Sequence, residues 1–445
     1  MMRATSRAVA LAFLAGPWSA GSLLSRAKEA LDTEPRWLRR LVRRVVARFP
    51  APPAGGLEEL AAALLDDEDF RSGATRWAGT RVRRWMVPEL TMHTVTGRPA
   101  GFSVPPLPTE GDLAAALGLP PAELAWFADG RRLNEATSTE ALAHYRYRWV
   151  AKASGGFRLL EAPKPRMRDR QRWILDNVLA AIPASPHAHG FVRGRDVRSF
   201  VRAHAGRAVV VRLDLQDFFA CVTRAHVAAI FHRVGYPRPV ANALANLCTV
   251  ATPLHVLAAH PRTGDLSARF LANARLRDRH LPQGAPTSPA LSNLAAFRLD
   301  LRLGALAAGF GATMTRYADD LAFSGDEVFA RSLRFFLPRA GAIALEEGFG
   351  LNHRKTRVMH RGQRQELCGL AVAERPSVPR RERDRLRAIL FNARRLGLES
   401  QNRGAHPDFR RHLEGRIAWV SAVDEGARRR LGALPDLEAP DARVG

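Results

Sequence analysis

Three aspartates stand where the sequence can least easily hide a charge. Asp214 closes the run Val209-Val210-Val211-Arg212-Leu213, and Asp319-Asp320 lies far along the chain between two short apolar stretches. A carboxylate delivered by a buried strand is costly unless it is compensated. Two such strands laid side by side bring like charges together, and that arrangement calls for a cation. Mg²⁺ suits it, because it takes one or two carboxylates and completes its octahedron with water and phosphate oxygens. A pair of such ions clamps the attacking and leaving oxygens of an in-line displacement at phosphorus. An isolated Asp-Asp pair is also an ordinary turn signal, so the surrounding residues carry the weight.

The elements that must position these groups are legible. Val209–Leu215 reads as a buried strand, and Met314–Tyr317 with Leu321–Phe323 as a hairpin that carries Asp319 and Asp320 into its turn. Arg146–Ala151 and Gly156–Glu161 read as a second hairpin around Ser154-Gly155. Helices are expected at Glu110–Leu117 and Pro121–Ala128, the latter opened by Pro120 and Pro121. The chain after Pro379 is helical and basic, with Leu386, Ile389 and Leu390 on one face of Arg380–Arg395. Residues 86–109, rich in Pro, Gly and Thr, read as a linker. In 34–49, Trp37, Leu38, Leu41, Val42, Val45 and Val46 recur at helical spacing among arginines. Packing on its own domain is the preferred reading there, ahead of a membrane or RNA surface. Behind Arg3 and Arg7, the apolar run Ala8–Ala15 has some likeness to a signal peptide but is too short to span a membrane, and a helix or a loose start is the preferred reading ahead of secretion.

Lys and Arg number 68 against 43 Asp and Glu, a formal net charge of +25 spread from Arg36 to Arg430. This charge points to a polyanion, nucleic acid being preferred over a mere Arg-rich bias of composition, and the 445 residues allow two or three domains. Cys221, Cys248 and Cys368 have neither zinc spacing nor the density of a disulfide framework, which points to reduced thiols and the cytoplasm. His187 and His189 lack a third ligand nearby.

Thr315-Arg316-Tyr317-Ala318-Asp319-Asp320-Leu321-Ala322-Phe323 resembles the catalytic hairpin of reverse transcriptases, and Val211-Arg212-Leu213-Asp214-Leu215-Gln216-Asp217-Phe218-Phe219 resembles their first carboxylate motif. Leu281-Pro282-Gln283-Gly284-Ala285-Pro286-Thr287-Ser288-Pro289 is similar, almost letter for letter, to the nucleotide-binding loop of the bacterial retron-type enzymes. Leu351–Thr356 and Gln365–Leu370 resemble the two motifs that follow. These motifs occur in the family's order and the similarity covers roughly 110–430. The segment Phe200–His204 stands where the retron pattern Asn-Ala-x-x-His is expected and keeps only the His. Leu367-Cys368-Gly369 stands in place of Val-Thr-Gly. Both segments are expected to help recognise the cognate RNA.

The resemblance implies an α+β right-hand polymerase fold of fingers, palm with an antiparallel sheet, and helical thumb, behind a helical N-terminal extension. The expected domains are 1–108 for the extension and linker, 109–375 for fingers and palm, and 376–445 for thumb and tail. It implies an RNA-directed DNA polymerase, a nucleotidyltransferase with two Mg²⁺ ions and Mn²⁺ as an alternative. Asp214, Asp319 and Asp320 match the catalytic metal ligands, joined by the carbonyl of Leu215. Lys152, Arg158, Phe219, Gln283, Gly284 and Lys355 match nucleotide contacts. Phe219 is the steric gate against a ribose 2′-hydroxyl, and Lys355 serves as general acid or fixed charge. Asp217 is not expected to bind metal. The implied partners are a structured RNA template and primer, the RNA–DNA hybrid, deoxynucleotides and an effector protein, in anti-phage defence and without a membrane. A non-catalytic RNA-binding protein that kept the fold is the rival reading.

Overall fold

Val209–Asp214 is β-branched or apolar at every position but Arg212 and the terminal aspartate, and such a run forms a strand buried on both faces. The computed structural model describes residues 2–31, 34, 36–53, 55–76, 82, 103–136, 139–152, 155–261, 266–372 and 374–424. Most of the expected linker, Ser154 of the expected hairpin and the tail beyond 424 lie outside them.

Nine strands are formed among the described residues. β1 (Tyr145–Ala151) and β2 (Phe157–Pro163) make an antiparallel ribbon, in register from Tyr145 opposite Pro163 to Ala151 opposite Phe157. β3 (Val209–Asp214), β4 (Thr313–Tyr317), β5 (Asp320–Gly325) and β6 (Arg357–His360) form an antiparallel sheet in the order β4-β5-β3-β6. β7 (Glu366–Leu367), β8 (Leu370–Val372) and β9 (Pro376–Ser377) form a small third sheet. The two sequence-expected hairpins are present, each slightly longer than its apolar run, because pairing extends past the residues that need burial.

One face of the four-stranded sheet packs on the helix Glu327–Glu346, where Phe323 meets Phe336 at 5.0 Å between ring centroids. On the other side, Val210 and Ala322 join Phe200, Val201, Leu367 and Leu370 in one core. Leu386 and Leu390 of the helix Arg380–Leu396 and Leu413 and Val420 of the helix Phe409–Val423 complete that core. The basic C-terminal helices are thus anchored by their apolar stripe and leave most of their arginines outward, Arg383 and Arg416 being half-buried in ion pairs with Asp424 and Glu382.

Contacts divide the chain into two units, Met1–Thr94 with Leu107–Thr109, and Val95–Pro106 with Glu110–Gly445. The first contains the helices Met2–Leu14, Ala20–Leu31, Arg36–Arg48, Gly56–Asp66 and Glu68–Arg76 around their own core, including Val9, Phe13, Leu23, Leu41, Leu60 and Phe70. The apolar run Ala8–Ala15 is part of that core rather than a loose start. Among the described residues no helix is long and apolar enough to cross a membrane.

Candidate active site

Antiparallel register decides where the carboxylates meet. Asp214 at the end of β3 lies directly opposite Asp320 at the start of β5, and residues opposite one another project from the same face. The two-residue turn Ala318-Asp319 joins β4 to β5, with Ala318 at φ +55°. Leu215 donates its N–H to the Asp319 carbonyl at 2.9 Å, which ties the turn to the extension of β3. The N–H and C=O of one extended residue point to the same side, so the Leu215 carbonyl also faces the hairpin.

Cations already answer two of the charges. Lys355 Nζ donates to both oxygens of Asp214 at 2.8 and 3.2 Å. Arg212 donates to Asp320 through Nε at 2.8 Å and lies 2.7 Å away through a terminal nitrogen. Cys368 Sγ donates to the other Asp320 oxygen at 3.4 Å, and burial together with Asp320 pushes this thiol's pKa up. Asp319 has no cation bonded to it among the described residues; burial, then Asp320 and Asp214, raise its pKa above the usual carboxylate value. The three side chains are adjacent without being gathered into a closed ligand cage, and no such cage of three or more His, Cys, Asp or Glu exists among the described residues. Arg212 and Lys355 are ion-paired with two of the three carboxylates. Three adjacent carboxylates, with an oxygen-only donor set, fit hard divalent cations.

A buried network fixes the turn from below. Arg316 is completely buried and grips Asp300 with two bonds of 2.6 and 2.7 Å. Its remaining nitrogen donates to Asn293 Oδ1 at 2.9 Å and to the Ala318 carbonyl at 3.1 Å. Asn293 in turn donates to the Gly190 carbonyl at 2.9 Å. A Cβ on Gly190 would come within 2.6 Å of the Ala318 nitrogen, so only glycine lets the chain pass so close beneath the turn.

The nucleotide-side residues of the sequence reading fall into two places. Lys152 and Arg158 are exposed on the β1–β2 ribbon. Gln283 and Gly284 lie on the loop pressed against β2, where the Glu161 N–H donates to the Gln283 carbonyl at 2.9 Å. A Cβ on Gly284, at φ +142°, would meet the Glu161 carbonyl oxygen at 3.0 Å. That junction is locked by a buried pair: His280 Nε2 lies 2.8 Å from Glu161 Oε2, and Thr252 donates to Oε1 at 2.7 Å. Burial pulls the His280 pKa down, but the Glu161 carboxylate outweighs it and the pKa is raised. Phe219 is half-exposed while Phe218 is buried, 5.9 Å from the Phe349 ring. Asp217 is held by Arg275 at 2.5 Å, away from the triad's bonds.

Comparison with known proteins agrees with this geometry. Residues 150–387 match the family of reverse transcriptases (RNA-dependent DNA polymerases). The chain is 41% identical to the retron Mx65 reverse transcriptase of Myxococcus xanthus over 75% of its own length and 72% of the relative's. The chain belongs to the retron-type reverse transcriptases. It is also 36% identical to the retron Mx162 enzyme of the same organism, over 74% of this chain and 66% of that one, and 27% identical to the retron Ec86 enzyme of Escherichia coli, over 65% and 80%. The fold is accordingly that of a reverse transcriptase, and its activity is RNA-directed DNA synthesis, which in this family depends on divalent metal ions.

In this reverse transcriptase the His that the segment Phe200–His204 keeps is a structural residue, while Arg202 of the same segment is exposed. His204 is fully buried, with its ring nitrogens 2.7 Å from Ser324 Oγ and from Thr315 Oγ1. Burial pushes its pKa down to about 3, so it is a neutral brace between β4 and β5 and cannot itself touch RNA. His187 and His189 are likewise structural: the first lies 3.2 Å from the Met314 carbonyl, the second 2.8 Å from Ser199 Oγ. Sequence reasoning passed over Arg212, Arg316, Asp300, Asn293 and the Glu161–His280 pair. The available signal was charge inside apolar segments, as in Thr313–Tyr317 and the helix Phe297–Gly309.

Proposed function

We propose that this retron-type reverse transcriptase joins deoxynucleotides to a primer hydroxyl by two-ion nucleotidyl transfer, with Asp214, Asp319, Asp320 and the Leu215 carbonyl holding two Mg²⁺ ions. The juxtaposition of Asp214 with Asp320 across β3 and β5, with Asp319 in the adjoining turn, carries this reading. When bound, the ions polarise the phosphoryl oxygens and neutralise charge on the entering and leaving oxygens. The protein's part is positioning. Lys152 and Arg158 attract the triphosphate from the β1–β2 ribbon. The backbone at Gln283-Gly284 packs against the new base pair, and Phe219 excludes a 2′-hydroxyl. Lys355 acts as a fixed charge rather than a proton donor, a role supported by its seat on Asp214. Asp217, engaged by Arg275, stays outside the metal site.

The template is a structured RNA, the product an RNA–DNA hybrid, and the setting the cytoplasm, in keeping with three unpaired cysteines. Anti-phage defence beside an effector protein is the physiological role proposed. Primer extension on an RNA template with Mg²⁺ tests the catalytic reading: wild type incorporates deoxynucleotides and Asp319→Ala does not. No incorporation by wild type, or full activity in Asp319→Ala, would overturn it in favour of an RNA-binding protein that has kept the fold.

A further inference from the structure

The family match begins at residue 150 and leaves the N-terminal helical unit without a role. Its helix Arg36–Arg48 is the most basic element of that unit, and its apolar stripe is fully spent: Leu38, Leu41, Val42 and Val45 are buried in the unit's own core. That removes the use of the stripe on a membrane and leaves the opposite face to be explained.

The arginines on that face are of two kinds. Arg39 and Arg44, at its two edges, are neutralised by acids: Arg39 by Glu34 at 2.6 Å, Arg44 by Asp67 at 2.7 Å and Asp69 at 2.9 Å. Arg36, Arg40 and Arg43, in the middle, are exposed and have no acidic partner among the described residues. Their i, i+4, i+7 spacing gathers them into an arc of about 60°, opposite the buried stripe. Seven residues of helix rise span about 10.5 Å, and one strand of a B-form duplex advances about 3.4 Å along its axis per phosphate. Three guanidiniums without an acidic partner among the described residues stand in one row, flanked by arginines that the fold has balanced, and offer uncompensated positive charge to a phosphate backbone.

We propose that Arg36, Arg40 and Arg43 form a phosphate-tracking surface on which the N-terminal unit holds RNA outside the polymerase domain. The contacts are to backbone phosphates, so this surface adds affinity and salt dependence without reading sequence. The choice of RNA over other polyanions rests on the RNA-directed activity of the chain.

The test uses the full-length protein and a fluorescein-labelled RNA stem-loop of about 40 nucleotides, with Kd followed by anisotropy between about 50 and 200 mM KCl. The variant Arg36→Gln/Arg40→Gln/Arg43→Gln is expected to weaken binding about 10- to 100-fold and to reduce the slope of log Kd against log salt by about 2 to 3. Its melting temperature and its kcat on a short pre-annealed primer–template remain those of wild type. The Arg→Lys triple variant keeps the charges and restores both affinity and slope. An unchanged Kd and slope in the Gln variant overturns the proposal. So does a loss of binding to phosphatidylserine vesicles while RNA binding is intact, since the surface would then serve a lipid headgroup. If wild type fails to extend primers, the catalytic reading falls, whereas the comparison of slopes still decides this one.

Discussion

Arg316 and Asp300, both fully buried, form a two-pronged ion pair directly beneath the Tyr317–Asp320 turn. The pair carries the turn with it, because the same guanidinium also holds the Ala318 carbonyl. Removing one member of a buried pair leaves an uncompensated charge, at about 3–5 kcal/mol. Asp300→Asn is therefore expected to lose stability of that order in urea unfolding. Its kcat should fall as well, even under conditions where the variant is fully folded, because Ala318 is released from its left-handed conformation.

Asp319 sits among like charges with a raised pKa. A group of this kind favours the folded state when protonated, below about pH 4, and works against it as pH rises through the folded value. In metal-free buffer at neutral pH, Asp319→Asn should melt at or above wild type. Added Mg²⁺ should raise the melting temperature of wild type and leave the variant nearly unmoved. Incorporation by the variant should drop by about 10²- to 10³-fold, as when a group that stabilises transition-state charge is removed.

The Glu161–His280 pair couples the β2 ribbon strand to the Gln283-Gly284 loop. The raised His280 pKa means that its contribution is fully present below about pH 6.5 and is lost as pH rises through the folded value. Wild type should exceed Glu161→Gln in stability by more at about pH 6 than at about pH 9. Loosening the loop should raise KM for the deoxynucleotide about fivefold or more, with kcat within about a factor of two, since the loss falls on substrate binding. An equal stability gap at both pH values would count against the ionic pair.

Phe219 presents its half-exposed ring beside Phe191, at 6.3 Å between centroids. Truncating a steric gate relaxes discrimination by about 10- to 200-fold. Phe219→Ala should therefore raise ribonucleotide incorporation relative to deoxynucleotide by that order, in single-nucleotide extension. Phe218→Ala, which opens a cavity in the core, should instead cost about 3–5 kcal/mol of stability.

What was legible in the sequence was local. β-branched runs declared β3 and both hairpins, prolines and glycines marked their ends, and the aspartates declared themselves as charges at the ends of apolar strands. The N-terminal amphipathic stripe announced a packed helix, and the ordered motifs announced the family. The tertiary structure decided which side chains answer one another. Asp214 meets Lys355 across 141 residues, Asp320 meets Arg212 across 108, and Arg316 meets Asp300 on the preceding helix, 16 residues away. His204, the one residue kept from the retron pattern, lies inside because two hydroxyls on neighbouring strands satisfy its nitrogens there. Residue type sets what a buried polar group needs, and chain topology alone sets which partner is near enough to supply it.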